Sequence, residues 1–204
     1  MDISDPFAAI LPGSESAVLM VLAGTKEYRS GSEIARLADR THPTAIKSLK
    51  RLRDQGVVKT IPSGRATLYT LNRDHLAADP IIQLATLRQN LIESMRNAIN
   101  EWSTVPVSAT MFGSAARGDG GTGSDIDLLI VRPDHIHSDD SKWQEDVDSL
   151  VRLTFRWSGN HLAVIEVGEN EVAELIRKKS SFYYNVKREG LHIAGQRFTR
   201  LTSH

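Results

Sequence analysis

The sequence predicts an α+β chain built as two domains with a long helix between them. The first third reads as three short helices and two strand-like runs, residues 79–102 as one amphipathic helix, and the rest as alternating strands and helices. Charge divides along the same lines. Residues 40–65 carry seven basic residues against Asp54 alone, a formal +6, whereas residues 119–174 carry thirteen acids against four bases, a formal −9. The zero net charge hides this asymmetry, which two domains with different ligands would produce and which solvated faces of one domain would also produce. With 204 residues, 40% hydrophobic and 25% charged, the composition excludes disorder and fibrous repeats. The absence of cysteine excludes disulfide scaffolds, thiolate metal sites and cysteine nucleophiles, and fits a reducing cytoplasm. No apolar run approaches the roughly 18–20 residues of a membrane span, and acids precede the first short apolar stretch, so neither a membrane nor a secretory route is expected.

The N-terminal elements follow in order. SESAVLMVLAGTK presents a broad apolar helical face with Ser14 or Ser16 as the cap, and YRSGSEIARLADR a shorter helix capped by Ser30 or Ser32. After a turn at Thr41–Pro43, the run from Thr44 to Gln55 turns Ile46, Leu49 and Leu52 inward and Lys47, Lys50, Arg51 and Arg53 outward, until Gly56 stops it. VVKTI and ATLYTL then read as two strands joined by a turn of Pro62, Ser63, Gly64 and Arg65. This order, over residues 14–72, resembles the winged helix-turn-helix of bacterial regulators, with DNA as the implied partner and residues 1–75 as the domain. The resemblance implies that Thr44, Lys47, Ser48 and Arg51 face a major groove and that Arg65 reaches the minor groove or backbone from the wing tip. A solvated basic face is the plainer reading of the same residues.

The segment Asp79–Trp102, within a linker spanning 76–104, places Ile81, Leu84, Leu87, Leu91, Met95, Ile99 and Trp102 at three- and four-residue steps. One long helix of this kind suits either packing within the chain or pairing with its copy in a homodimer.

Val107–Arg132, VSATMFGSAARGDGGTGSDIDLLIVR, carries the chemistry. An apolar strand ends at Gly113, where the missing side chain lets the backbone approach a phosphate; Ser114 adds a hydroxyl, and a following helix would aim its free amides at an anion. Asp125 and Asp127 lie two apart on a second strand, so both carboxylates share a face while Ile126 points into the core. Two adjacent carboxylates repel unless a cation lies between them, and magnesium is the ion that prefers carboxylate and phosphate oxygens. GSAARGDGGTGSDIDLLI resembles the minimal nucleotidyltransferases of the DNA polymerase beta superfamily, over residues 105–195 of an expected domain at 105–204. That resemblance implies an α/β domain with a mixed sheet, a nucleoside triphosphate as substrate, and Mg²⁺ or Mn²⁺ as cofactor. It assigns the triphosphate to Gly113 and Ser114, with Ser124 beside them, phosphate binding or local structure to Arg117, and the metal to Asp125 and Asp127.

The same resemblance calls for a third carboxylate that completes the metal site and acts as base. On the strand HLAVIEV, residues 161–167, the only acid is Glu166, a departure from the commoner aspartate; Asp119 is the weaker substitute. The implied activity is transfer of NMP, with AMP first, to a hydroxyl of a protein or RNA acceptor, antitoxin-like and with autoregulation through the DNA-binding domain. The alternative is a regulator whose catalytically inactive fold senses nucleotide, and the orientation of Glu166 discriminates between them. In the tail, Tyr183 and Tyr184 beside Lys178, Lys179, Lys187 and Arg188 suit either a base-stacking surface or packing on the core.

Overall fold

The computed structural model describes residues 2, 5–7, 10–11, 13–121, 123–178 and 181–202. The chain divides into two compact units, Asp5–Leu87 and Arg88–His204, the latter grouped with Met1–Ser4. Each has its own apolar core.

The first unit runs α1 (Ser14–Ala23), β1 (Arg29–Ser30), α2 (Gly31–Leu37), α3 (His42–Asp54), β2 (Val58–Ser63), β3 (Ala66–Leu71) and α4 (Ala78–Ala85). Val18, Leu22, Ile34, Ala45 and Leu49 are completely buried at its centre. The Ser30 hydroxyl accepts from Glu33 N at 3.2 Å and caps α2. At α1 the cap residue is Gly13. Ser14 pairs instead with Ser48 Oγ at 2.9 Å, and Ser16 Oγ donates to Gly13 O. The three strands form an antiparallel sheet in the order β1-β3-β2. Its hairpin is longer than the sequence predicts: Ser63 pairs with Ala66, and only Gly64, at φ +59°, and Arg65 make the loop. Pro62 is tolerated within β2 because that strand is an edge. The helices, basic third helix and hairpin stand in the order of a winged helix.

The helix expected over 79–102 is two helices. α4 ends at Ala85 and α5 spans Leu87–Asn100. Between them the Thr86 hydroxyl donates back to Ile82 O (3.0 Å) and Gln83 O (3.1 Å), a local bond that competes with helix continuation. The apolar stripe divides at the same place. Ile81, Ile82 and Leu84 pack in the first core, and Leu91, Met95, Ile99 and Trp102 in the second. The residues that suited either internal packing or a homodimer are thus largely taken up by the chain's own cores.

The second unit continues with β4 (Ser108–Phe112), α6 (Gly113–Arg117), β5 (Ile126–Arg132), α7 (Ser141–Ser158), β6 (Leu162–Gly168), α8 (Val172–Lys178), α9 (Ser181–Glu189), β7 (Leu191–Gly195) and α10 (Phe198–Leu201). Its sheet has the order β6-β5-β4-β7 and is mixed: β5 runs parallel to β6, and β4 antiparallel to β5 and β7. Alternation along β5 feeds both faces. Ile126, Leu128 and Ile130 join Met95, Ile99, Trp143 and Leu150, whereas Leu129 and Val131 join Phe112, Tyr183, Val186 and Phe198. Trp102 meets Trp143 edge-to-face at 5.4 Å. Among the described residues no helix is long and apolar enough to cross a membrane.

Separate cores imply separable stability. Met95→Ala, at a fully buried position of α5, is expected to cost the second unit about 3 kcal/mol. A calorimetric scan should show that transition falling while the transition of the first unit stays in place.

Candidate functional site

The candidate site grows from the turn between β4 and α6. Phe112 pairs with Asp127 across β4 and β5, so the next residue, Gly113, lies against the Asp127 side chain. Gly113 has φ +69°, and a Cβ there would overlap Asp127 Oδ2; geometry and space both demand glycine. Helix α6 lasts five residues and closes at Gly118 (φ +77°), whose N–H donates to Ser114 O at 2.8 Å. The chain then folds back. A Cβ on Gly120 would lie 3.0 Å from Ser114 Oγ and 3.3 Å from Ser124 Cβ, Gly121 N donates to Ser124 Oγ (3.0 Å), and buried Asn160 donates to Ser124 O (3.0 Å). Ser114, Gly118, Gly120, Ser124, Asp125 and Asn160 line the resulting cleft. The structure thereby brings together Gly113, Ser114, Ser124, Asp125 and Asp127.

Asp125 stands exposed just before β5, and Asp127 is half-buried within it. Burial pushes the Asp127 carboxyl above its ordinary range, the charge of Asp125 adds to the shift, and Arg117 opposes it. A carboxylate held beside a second one is what a divalent cation relieves, and magnesium binds through one or two carboxylates plus phosphates and water. The donor set fits that ion at its minimum. Among the described residues no group of three or more His, Asp or Glu is arranged to hold a metal.

The third carboxylate does not join them. In the parallel pairing of β5 and β6, Asp127 stands beside Ala163, and Glu166 beside Ile130. Residues paired across strands share a face, so Glu166 emerges on the face opposite to Asp127. There it accepts from Arg132 Nε (2.6 Å) and Trp143 Nε1 (3.0 Å), and Arg132 also donates to Ile136 O. Glu166 is a partner in a half-buried ion pair under α7. Asp119 is not a substitute either: it pairs with Arg117 Nε at 2.9 Å, while Arg117 Nη1 reaches Glu189 at 2.7 Å. Of the two roles implied for Arg117, these bonds serve local structure by tying the loop to α9.

On the first unit, Lys47, Arg51 and Arg65 are exposed, as are Lys50 and Arg53. Among the described residues, Lys47, Lys50 and Arg65 form no ion pair, whereas Arg51 reaches Glu15 at 3.3 Å. Thr44 is half-buried, its hydroxyl paired with Thr41. Ser48 departs from the expectation. It is 1% exposed and bonded to Ser14, so it fastens α3 to α1 and is closed to DNA. In the tail, Tyr183 is buried and Tyr184 half exposed, Lys178 pairs with Glu174, and Lys179 lies outside the described residues.

Comparison with known families bears directly on this geometry. Residues 92–184 match the nucleotidyltransferase domain family. The β4–α6 turn, the aspartate pair and β6 all lie inside the matched segment. Residues 14–105 match a family described as of unknown function (DUF7342). Among solved structures, a point mutant of ZitR from Lactococcus lactis is 21% identical with a TM-score of 0.35 over 46% of this chain and 63% of that one. The ZitR structure described as a zinc-responsive MarR family member is 20% identical with a TM-score of 0.33. The chain covers 46% of its own length in that match and spans 64% of the ZitR chain. No curated protein sequence matches the chain.

Two residues of the nucleotidyltransferase-like unit escaped the sequence reading. Asn160 looks like an ordinary turn residue after α7 and carried no signal. Arg88 looks like a surface position on a helix, and its partners lie 27 and 28 residues away.

Gly113→Ala is expected to displace Asp127 and to lower the melting temperature of the second unit, read by calorimetry, while far-ultraviolet circular dichroism stays native. Asp127 also sets a pH signature. Its folded value is raised above the ordinary 3.8, so its contribution to stability is full below that value and is lost as pH rises through the raised one. Without metal, wild-type melting temperature should fall over that window relative to Asp127→Asn, and magnesium should reverse the difference.

Proposed function

We propose that the protein is a cytoplasmic, nucleotide-responsive transcription regulator: its second unit binds a nucleoside triphosphate with magnesium, and its first binds DNA. The carrying observation is Ala163 beside Asp127, with Glu166 engaged by Arg132 and Trp143 on the other face. The cleft retains what binding needs. Gly113 admits close backbone approach, the Ser114 and Ser124 hydroxyls and the main-chain N–H groups suit phosphate oxygens, and Asp125 and Asp127 would hold Mg²⁺ or Mn²⁺. When bound, the metal neutralises charge on the phosphates. What the β6 position beside Asp127 does not supply is a carboxylate to take the proton of an attacking hydroxyl, and that favours sensing over transfer.

A second reading has its own support. The family match and the intact aspartate pair favour transfer of NMP, probed first with ATP, to a hydroxyl of a protein or RNA acceptor, antitoxin-like and with autoregulation through DNA binding. Calorimetry with each NTP and magnesium, paired with labelled-NTP turnover, separates the two. Binding that vanishes in the Asp125→Asn, Asp127→Asn double variant with no label transferred is the expected result. Label appearing on an acceptor establishes the transferase, and no binding at all overturns both.

For DNA, Lys47→Ala and Arg65→Ala are each expected to weaken operator binding and lower the salt slope by about 1. Ser48→Ala should leave DNA affinity unchanged and instead cost the first unit about 1 kcal/mol. Fluorescence anisotropy across a salt series reads the first effect, and urea unfolding the second.

A further inference from the structure

Helix α6 is too short to hold itself. Five residues cannot close a run of backbone hydrogen bonds, and the carbonyls of its last turn have no following turn to serve. Arg88, on the first turn of α5, supplies the missing partners. Its Nε and Nη2 donate to Ala115 O at 3.3 and 2.9 Å, and Nη2 also donates to Ala116 O at 2.7 Å. A cation at a helix C-terminus is favourable in its own right. The guanidinium lies directly behind the cleft wall: a Cβ on Gly118, which lines the cleft, would lie 3.9 Å from Arg88 Nε. From the far side, Arg117 ties the same segment to Glu189 of α9. The cleft lining itself carries no basic side chain among the described residues. A triphosphate there would depend on hydroxyls, amides and a metal, and therefore on how well the Ser114–Gly118 backbone is held.

We propose that Arg88 is the positioning residue of the phosphate site: it fixes the α6 backbone so that Ser114 and the turn amides meet the phosphates, and it does so without touching the ligand. This rests on the cleft being a nucleotide site. A planar fork that spans two neighbouring carbonyls is a task for arginine, since an ammonium offers donors from a single point.

The test uses the full chain with Arg88→Ala and Arg88→Lys, titrated by calorimetry with magnesium plus ATP and with magnesium plus tripolyphosphate, alongside thermal melting. Arg88→Ala is expected to weaken both ligands equally by about tenfold, the equivalent of one charge-assisted bond. Arg88→Lys should fall between it and wild type. Millimolar guanidinium should restore binding to Arg88→Ala and leave Asp127→Asn unrescued. Unchanged affinity with only a lowered melting temperature overturns the proposal, as does a loss confined to ATP or one that guanidinium does not rescue. Wild-type protein that binds neither ligand overturns the nucleotide reading itself, and this role with it.

Discussion

Asp127 is an acid placed where a buried strand can least accommodate one, and the local architecture follows from that placement. Strand β5 lies between β4 and β6 and is covered on both faces, so nearly every one of its residues is apolar and buried. A carboxylate in that setting, with Asp125 two residues before it, carries both a desolvation cost and a like-charge cost. Space for it comes from the glycine that follows the neighbouring strand, and Gly113, in the left-handed region, starts a helix immediately. The helix is then too short to be self-sufficient, and it is held by Arg88 of α5 and, through its own last residue Arg117, by Glu189 of α9. Each local oddity of the site follows from the one before it.

The two units meet this kind of demand differently. In the first, the buried polar residues are small hydroxyls, and Ser48 is satisfied by Ser14 where α1 meets α3. In the second, full charges are brought close to the core and paired, as with Arg132 and Glu166 under Trp143. Removing one member of such a pair leaves a half-buried charge with no counter-ion, so the residues around β6 are constrained well beyond the cleft. The acidic surplus read from residues 119–174 is therefore of two kinds. Some of it, such as Asp139 and Glu145, is solvated surface, and some, such as Glu166, is structural.

What was legible in the sequence was local. Period-3.6 and period-2 patterns located the helices and strands, and the Gly-Ser turn with its aspartate pair located the cleft, because each signal is contained within a few neighbouring residues. What was not legible depends on register or on distance. Alternation along β6 put Glu166 with Leu162 and Val164 correctly, yet only the offset between β5 and β6 decides which face Asp127 shares. Ser48 has the helical spacing of a groove-facing residue but meets a partner 34 residues earlier. Thr86 interrupts a stripe whose apolar spacing continues unbroken through it, because spacing does not reveal that the stripe serves two cores.

The position of Arg88 bears on where the second unit begins as a working part. The recognisable family segment covers residues 92–184, and a fragment trimmed to that similarity would retain the glycine turn, both aspartates and strands β4, β5 and β6, but not the edge strand β7. It would lack the side chain that braces the turn from behind, together with Leu91, one of the core residues of α5. With the brace and β7 both missing, the behaviour of such a fragment would say nothing about the intact chain. The natural cut falls four residues earlier, between Leu87 and Arg88, where the compact units divide.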